Sequence, residues 1–327
     1  MALNTTTSHS NQFARYFEKV LLDCAKQTLV LDQFGMSADL PRGLGSKTVR
    51  FFRPMTADSS RVVSLTEGTP ISTISSQTYT AVDIDLAQFG ELFEWTDILG
   101  WTALLKVMED GVRTMGEDCA LKADDITLTA LANASTGGTK RYAQGGANWA
   151  ALAGGTAANF KYISTDGLGA CTTLRVNMAP RIGSEYIGIV GPQVGYDLML
   201  DTRWLNAKQY SDVQGLYKGE IGMLDGIRYV MTTNVWYEDG NAGAEATRVT
   251  TPGTKPIYLS IFTGKNGYGT VALSGQSPYR PQIMICDTPD KSDPANQLTT
   301  ATWKAFYQSA VLNANWVIAV RSRGTYA

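Results

Sequence analysis

KTVRFFRP (47–54), ADSSRVVSLTEGTPISTISSQ (57–77) and YTAVDIDL (79–86) are an alternating segment, a polar run and a second alternating segment, and together they decide how this chain is read. In the first, Val49 and Phe51 alternate with Arg50 and Phe52. In the second, Thr80, Val82, Ile84 and Leu86 share one face, while Tyr79, Ala81, Asp83 and Asp85 share the other. A period of two is the signature of a strand, because successive side chains point to opposite faces. The span between them is rich in Ser and Thr, and structureless loops beyond roughly 12 to 15 residues are uncommon inside compact domains. Residues 47–95 are therefore expected to form an extended hairpin that leans on another molecule. Arg50, Arg53 and Arg61 make it locally basic, and Glu67, Asp83, Asp85, Glu91 and Glu94 make the rest acidic. That pattern suits cross-strand pairs or contacts between subunits. Exposed pairs contribute only about 0 to 1 kcal/mol, so they would set register and partner choice more than stability.

A long helical pattern follows. With Thr96 or Asp97 as N-cap, Ile98, Trp101, Leu105, Met108, Val112, Met115 and Cys119 recur at three- and four-residue steps. Continued to Leu131, the helix would run about 35 residues, or roughly 50 Å at 1.5 Å per residue. Gly111 and Gly116 weaken it locally and are candidate points of flexing. A coiled coil is disfavoured, because the stripe falters at Lys122 and the flanking segments are strand-like.

With 327 residues, 44% of them hydrophobic, the chain can bury a sizeable core and hold more than one domain. Lys plus Arg total 28 against 30 for Asp plus Glu, and a net charge of -2 gives no overall case for gripping nucleic acid. The start, MALNTTTSHSNQFARYF, lacks a basic stretch followed by an unbroken apolar run, so no signal peptide is expected. No uncharged apolar run approaches the roughly 18 residues of a membrane span. Cys24, Cys119, Cys171 and Cys286 are far apart with no CxxC pair, which favours free thiols in a reducing cytoplasm over a disulfide framework or metal site.

The search for chemistry yields no catalytic, cofactor or metal site. His9 is the one histidine and sits in a Ser/Thr/Asn-rich terminus, so a histidine-based triad has no anchored base. GKNGYG (264–269) lacks the GKS or GKT of a phosphate loop and reads as a turn between strands. Asp287, Asp290 and Asp293 do not match the alternating ligands and central glycine of a calcium loop. Asp124 and Asp125 point about 100° apart on a helix, so they do not converge on one substrate and read as exposed charge.

Farther on, GGTKRYAQGGANWAALAGGTAANFKY (137–162) reads as an irregular surface loop or short hairpin. Residues 166–178 read as a helix stopped by Pro180, Tyr186 to Val190 as a buried strand, and VGYDLMLDTRWL (194–205) as a further helix. GEIGML and IRYVMTTNV flank Asp225-Gly226, a dipeptide of tight hairpin turns. The polar run 237–256 reads as an exposed insertion, IYLSIF and GTVALSG as strands, and the C-terminal block as an antiparallel hairpin with Trp303, Ala305, Tyr307, Ser309 and Val311 on one face.

In EGTPISTISSQTYTAVDIDLAQFGELFEWTDIL (67–99), YIGIVGPQVGYDLMLD (186–201), GEIGMLDGIRYVMTTNV (219–235) and SDPANQLTTATWKAFYQSAVLNANWVIAV (292–320), the chain resembles the major capsid proteins of tailed double-stranded DNA bacteriophages, in particular the N4-type family. The resemblance spans nearly the whole length and rests on the order and spacing of these segments. It implies an α+β capsid fold with four parts: an N-terminal arm (1–46), an extended hairpin loop (47–95), a peripheral domain with the long spine helix (96–180 and 290–327) and an axial domain (181–289). It implies no enzyme and no cofactor. It implies instead a virion shell subunit, assembled in the bacterial host cytoplasm as homo-hexamers and homo-pentamers around double-stranded DNA held without sequence-specific binding. Scaffolding, portal and decoration or cement proteins are the implied partners, with no membrane. Some related shells cross-link a loop Lys to an Asn, and this loop has no Lys between Thr48 and Leu105, which argues against that chemistry here. Three other readings stay open: an encapsulin-like nanocompartment shell, a carboxylate-dependent hydrolase and a tail-fibre or adhesion component.

Overall fold

The structure is a computed structural model that describes residues 30–40, 45–55, 58–65, 67–68, 70, 75–103, 106–134, 140–210, 220–234, 236–241, 245, 248–249, 253–273, 281–286 and 297–326. Among them the chain builds a two-stranded, a five-stranded and a seven-stranded sheet. It is the α+β class that the sequence implies.

The two-stranded sheet is the hairpin. Strands β2 (Thr48–Pro54) and β3 (Tyr79–Asp85) pair antiparallel, with Val49 opposite Ile84 and Phe51 opposite Val82. One more backbone bond lies at each end, Leu86 N–H to Lys47 O at 2.9 Å and Met55 N–H to Thr78 O at 3.0 Å. The alternation sets this register, since a slip of one residue would turn Phe51 and Ile84 out of the small core they share with Val271 and Leu312.

The five-stranded sheet is organised on β13 (Leu298–Val311). One edge of β13 pairs over ten residues with β4 (Ala87–Thr96). Its other edge pairs with β12 (Gln282–Cys286) and β11 (Tyr268–Leu273), and β11 in turn pairs in parallel with β1 (Met36–Leu40). Residues 87–95, read from sequence as part of the extended hairpin, thus belong to a separate strand that anchors it.

The seven-stranded sheet runs β5 (Lys140–Tyr142), β14 (Val317–Arg323), β10 (Pro256–Thr263), β6 (Tyr186–Val190), β8 (Ile227–Met231) and β7 (Glu220–Leu224), with the short β9 (Tyr237–Asp239) also on β10. Strands β6 and β14 are buried along their whole length. The apolar run of β6 fits a strand covered on both faces, whereas β14 also buries Arg321, Ser322 and Arg323 at its end. The β7–β8 turn is the Asp225-Gly226 pair, with φ of 56° and 82°, the two positive values that a tight hairpin turn demands.

Several sequence-based expectations need correction. The helix does not run unbroken from residue 96: α1 (Asp97–Thr102) ends at Ala103, whose ψ of 131° is extended, and α2 (Val107–Ala134) is a separate 28-residue helix of about 42 Å. Ile98 is 68% exposed and lies off the buried stripe. Residues 194–205 form two helices, α5 (Pro192–Met199) and α6 (Thr202–Tyr210), and Asp201 between them accepts the Arg203 N–H. The C-terminal block is no hairpin, because β13 and β14 belong to different sheets. GKNGYG is a turn between strands, as read, but it carries the chain from β10 in one sheet to β11 in the other. The Gly/Ala-rich run is folded: β5 and α3 (Trp149–Gly154) lie in it, and Trp149 and Leu152 are buried against Ile257. In the polar run after residue 237, Glu238 is fully buried. Asp287, Asp290, Asp293 and Cys24 lie outside the described residues. Cys119 and Cys171 are buried free thiols, whereas Cys286 is exposed.

Helix α2 joins the two large sheets. Its first half places Val112, Met115, Cys119 and Ala123 against Trp303, Ala305 and Tyr307 of β13. Its second half places Leu128, Leu131 and Ala132 against Ile187, Ile189 and Ala319 of the seven-stranded sheet. The other face of that sheet is covered by α4 (Ser164–Val176), α5 and α6 through Leu174, Val194, Leu198 and Trp204.

Candidate functional site

Many of the hairpin's described side chains are exposed. Among its described residues the base is packed, through Phe51 and Ile84. Phe52, Val62, Val63, Leu65 and Tyr79 are exposed, Val62 at 80%. Five large apolar side chains left in water on one extension form a surface that another protein can cover.

Of the charged residues singled out from sequence, the fold brings two together. Arg50 sits opposite Asp83 in the ladder, and its guanidinium makes a forked pair, Nε to Oδ1 at 2.6 Å and Nη2 to Oδ2 at 2.7 Å. The hydrogen bond from Arg50 holds the Asp83 carboxyl below its usual value. The remaining residues stay apart. Asp85 accepts from the Thr48 hydroxyl. Arg53 reaches toward the Leu312 carbonyl at 3.5 Å, and Arg61 is half-buried in the turn that Asp58 caps. Glu91 is engaged within the subunit, accepting the Trp303 indole N–H at 3.0 Å. Glu67 and Glu94 are exposed.

Gly111 and Gly116 both lie inside α2, which is helical through them. Gly111 has a packing reason to be glycine: a Cβ there would fall 2.5 Å from Cζ2 of Trp95, a ring only 9% exposed. Alanine would add about 1 kcal/mol of helix propensity, but forcing a methyl group into a filled core costs about 1 to 3 kcal/mol. Gly111→Ala is therefore expected to lower the urea midpoint of unfolding. A residue that served only as a bending point would give a higher midpoint.

The reading of Asp124 as exposed charge is wrong. Asp124 is 1% exposed, and its carboxyl accepts the backbone N–H groups of Val30 and Leu31, each at 3.2 Å. Burial pushes it up to about 7, against the pull of those two bonds, and the nearby Asp32 charge adds to the rise. Asp125, one residue on, points elsewhere and pairs with Arg248 and with Lys122. Asp32 is also raised by burial, despite hydrogen bonds from Thr270 and Tyr307. Sequence reasoning missed this cluster because its members are far apart in the chain and meet only in the fold. No group of three or more His, Cys, Asp or Glu positioned to hold a metal ion occurs among the described residues, and no helix there is long and apolar enough to cross a membrane.

Neither a protein-family profile nor a curated protein sequence matches this chain. Solved structures do. The capsid of cyanophage P-SCSP1u superposes with a TM-score of 0.64 at 16% identity, covering 90% of this chain and 88% of that one. The capsid of Ralstonia phage GP4 gives 0.65 at 10% identity, over 91% and 92%. A virus-like particle from Pyrococcus furiosus gives 0.50 at 11% identity, over 94% and 99%. The chain therefore has the fold of phage capsid subunits along nearly its whole length.

Proposed function

We propose that this chain is the major capsid protein of a tailed phage of the N4 type, which self-associates into hexamers and pentamers and closes an icosahedral shell around double-stranded DNA. The observation that carries the reading is the hairpin, an extension with a packed base and uncovered Phe52, Val62, Val63, Leu65 and Tyr79. Extended elements let one subunit bury large surface on several neighbours, as a closed shell requires. The likeness to two phage capsids supports it. On this reading residues 1–46 are the arm, 47–95 the extended loop, 96–180 with 290–327 the peripheral domain and 181–289 the axial domain. Each large sheet draws strands from both sides of residue 289, which ties the last two parts together. Arg53, Arg61, Glu67, Asp85 and Glu94 are the charges proposed to meet neighbouring subunits, with the Arg50–Asp83 pair stiffening the hairpin. Flexing of α2 at Gly111 and Gly116 would let one sequence serve both ring sizes, with the Trp95 contact limiting it at Gly111. Scaffolding, portal and cement proteins are further proposed partners, and the location is the virion, after assembly in the host cytoplasm. A net charge of -2 suits DNA that is enclosed rather than gripped.

The test is negative-stain electron microscopy of the fast-sedimenting fraction, for the full chain and for a variant with residues 56–77 replaced by an Asn-Gly turn. Closed angular shells from the full chain and none from the shortened, still folded variant are expected. A small oligomer of fixed size from native material would overturn the reading. The nanocompartment alternative draws on the virus-like particle, whose likeness is lower than that of the phage capsids. Nuclease-protected DNA inside the shell, rather than protein cargo, separates the two.

A further inference from the structure

The buried carboxyl of Asp124 holds the first of the described residues, Val30 and Leu31. Its two oxygens take the N–H groups of two successive residues, Val30 N–H on Oδ2 and Leu31 N–H on Oδ1. The same segment is held from three other sides. Tyr268 of β11 donates to the Leu31 carbonyl at 2.5 Å. Tyr307 of β13 donates to Asp32 at 3.3 Å and shares a 3.0 Å bond with Thr127 of α2. Leu31 and Phe34 insert between α2 and the seven-stranded sheet.

We propose that Asp124 is a proton-operated latch that holds Val30–Phe34 onto α2 and the two large sheets. The physical basis is a mismatch of charge and setting. A carboxylate in this position is desolvated and faces a second carboxyl, Asp32, on the very segment it holds. The titratable groups turned toward it from β11 and β13 are Tyr268 and Tyr307, whose hydroxyls burial keeps protonated. The nearby cations of the helix surroundings, Lys122 and Arg248, are engaged with Asp125. When Asp124 carries a proton, Asp32 is the one carboxyl of the pair that bears charge, and the junction is closed. When Asp124 ionises, two buried negative charges oppose each other and the segment is loosened.

The sign follows from linkage. A carboxyl that titrates higher when docked than when released contributes docking stability fully present below its released value, and this is lost as pH rises toward the docked one. With 3.8 for the released carboxyl and about 7 for the docked one, the fraction of open segments rises about tenfold between about pH 6 and about pH 8. The inference concerns the folded chain and stands whether or not the chain builds a shell.

Hydrogen–deuterium exchange on the full-length protein at those two pH values, corrected for intrinsic rates, tests it. Amides of residues 30–34 are expected to open about tenfold more at the higher pH, with α4 amides as a constant reference, and Asp124→Asn is expected to abolish the difference. Equal opening of the wild type at both values, or a pH dependence that survives in Asp124→Asn, would overturn the latch. Should Asp124→Asn fail to fold, Asp32→Asn decides. Removing the like charge is expected to move the transition to lower pH, and an unmoved transition counts against the proposal.

Discussion

Arg321→Met is expected to destabilise the folded chain by about 3 to 5 kcal/mol, the cost of leaving a buried charge without its partner. Arg321 is fully buried in β14, and its Nε lies 3.1 Å from both oxygens of Glu238, itself fully buried in β9. Glu238 also accepts two indole N–H groups, from Trp149 at 2.9 Å and Trp236 at 3.2 Å. Arg321 Nη1 lies 3.3 Å from Glu245, whose other oxygen is 2.8 Å from Lys140 Nζ. Without the guanidinium, the Glu238 carboxylate keeps its indole donors but loses the positive charge that lies 3.1 Å from both its oxygens and offsets its desolvation. The double variant Arg321→Met with Glu238→Gln removes both charges and is expected to recover most of the loss, since a buried ion pair replaced whole is far less costly than one broken. Urea unfolding read by tryptophan fluorescence checks both, with a lowered midpoint and an unchanged slope for the single variant. Equal midpoints for wild type and single variant would show that the pair contributes no net stability.

Trp303→Ala is expected to cost a similar amount, about 3 to 5 kcal/mol, by a different route. Trp303 is 3% exposed at the middle of β13, opposite Glu91 on β4 and Ile283 on β12. It shares a core with Trp95, Met115 and Cys119, and with Trp95 it fills the space between the five-stranded sheet and the first half of α2. Truncation leaves a cavity that a sheet and a helix cannot both close. Trp303→Phe keeps an aromatic ring in the core but loses part of the indole and its bond to Glu91, a half-buried carboxylate that water can reach, so a loss of about 1 to 2 kcal/mol, smaller than for alanine, is expected. A loss as large for phenylalanine as for alanine would mean that the N–H edge of the indole, with its bond to Glu91, and not the bulk of the ring, holds β4 in place.

What was legible in the sequence follows the reach of each signal. Alternation fixed the faces and pairing of β2 and β3, because the two strands are joined by one loop and share one register. Asp225-Gly226 placed a hairpin because the turn geometry needs those residue types. Alternation in β13 named the buried face of Trp303, Ala305 and Tyr307, but a face does not say which strand lies alongside, and the neighbours proved to be β4, β11 and β12. The break at Ala103 has no Pro or Gly at the residue itself, so periodicity ran through it. Asp124 and Glu238 were read as solvated because the groups that hold them, the backbone of Val30 and Leu31 and the side chain of Arg321, are more than eighty positions away. The hairpin charges were read as cross-strand pairs or subunit contacts without naming partners, and the fold pairs Arg50 with Asp83 across the strands and Glu91 with Trp303.

The way the hairpin is rooted bears on how it would carry load. Strand β3 runs through a single residue, Leu86, into β4, and β4 lies antiparallel against β13 over ten consecutive partners, from Ala87 opposite Tyr307 to Thr96 opposite Leu298. A pull on the hairpin along the chain is directed down the axis of β4. The ladder then resists in shear, with its rungs strained together, rather than opening one rung at a time as in a zipper. Whatever grips the far end of the hairpin would be hauling on the central strand of the five-stranded sheet, and through it on the long helix. Tension arriving at the periphery would spread over the whole subunit instead of peeling its edge.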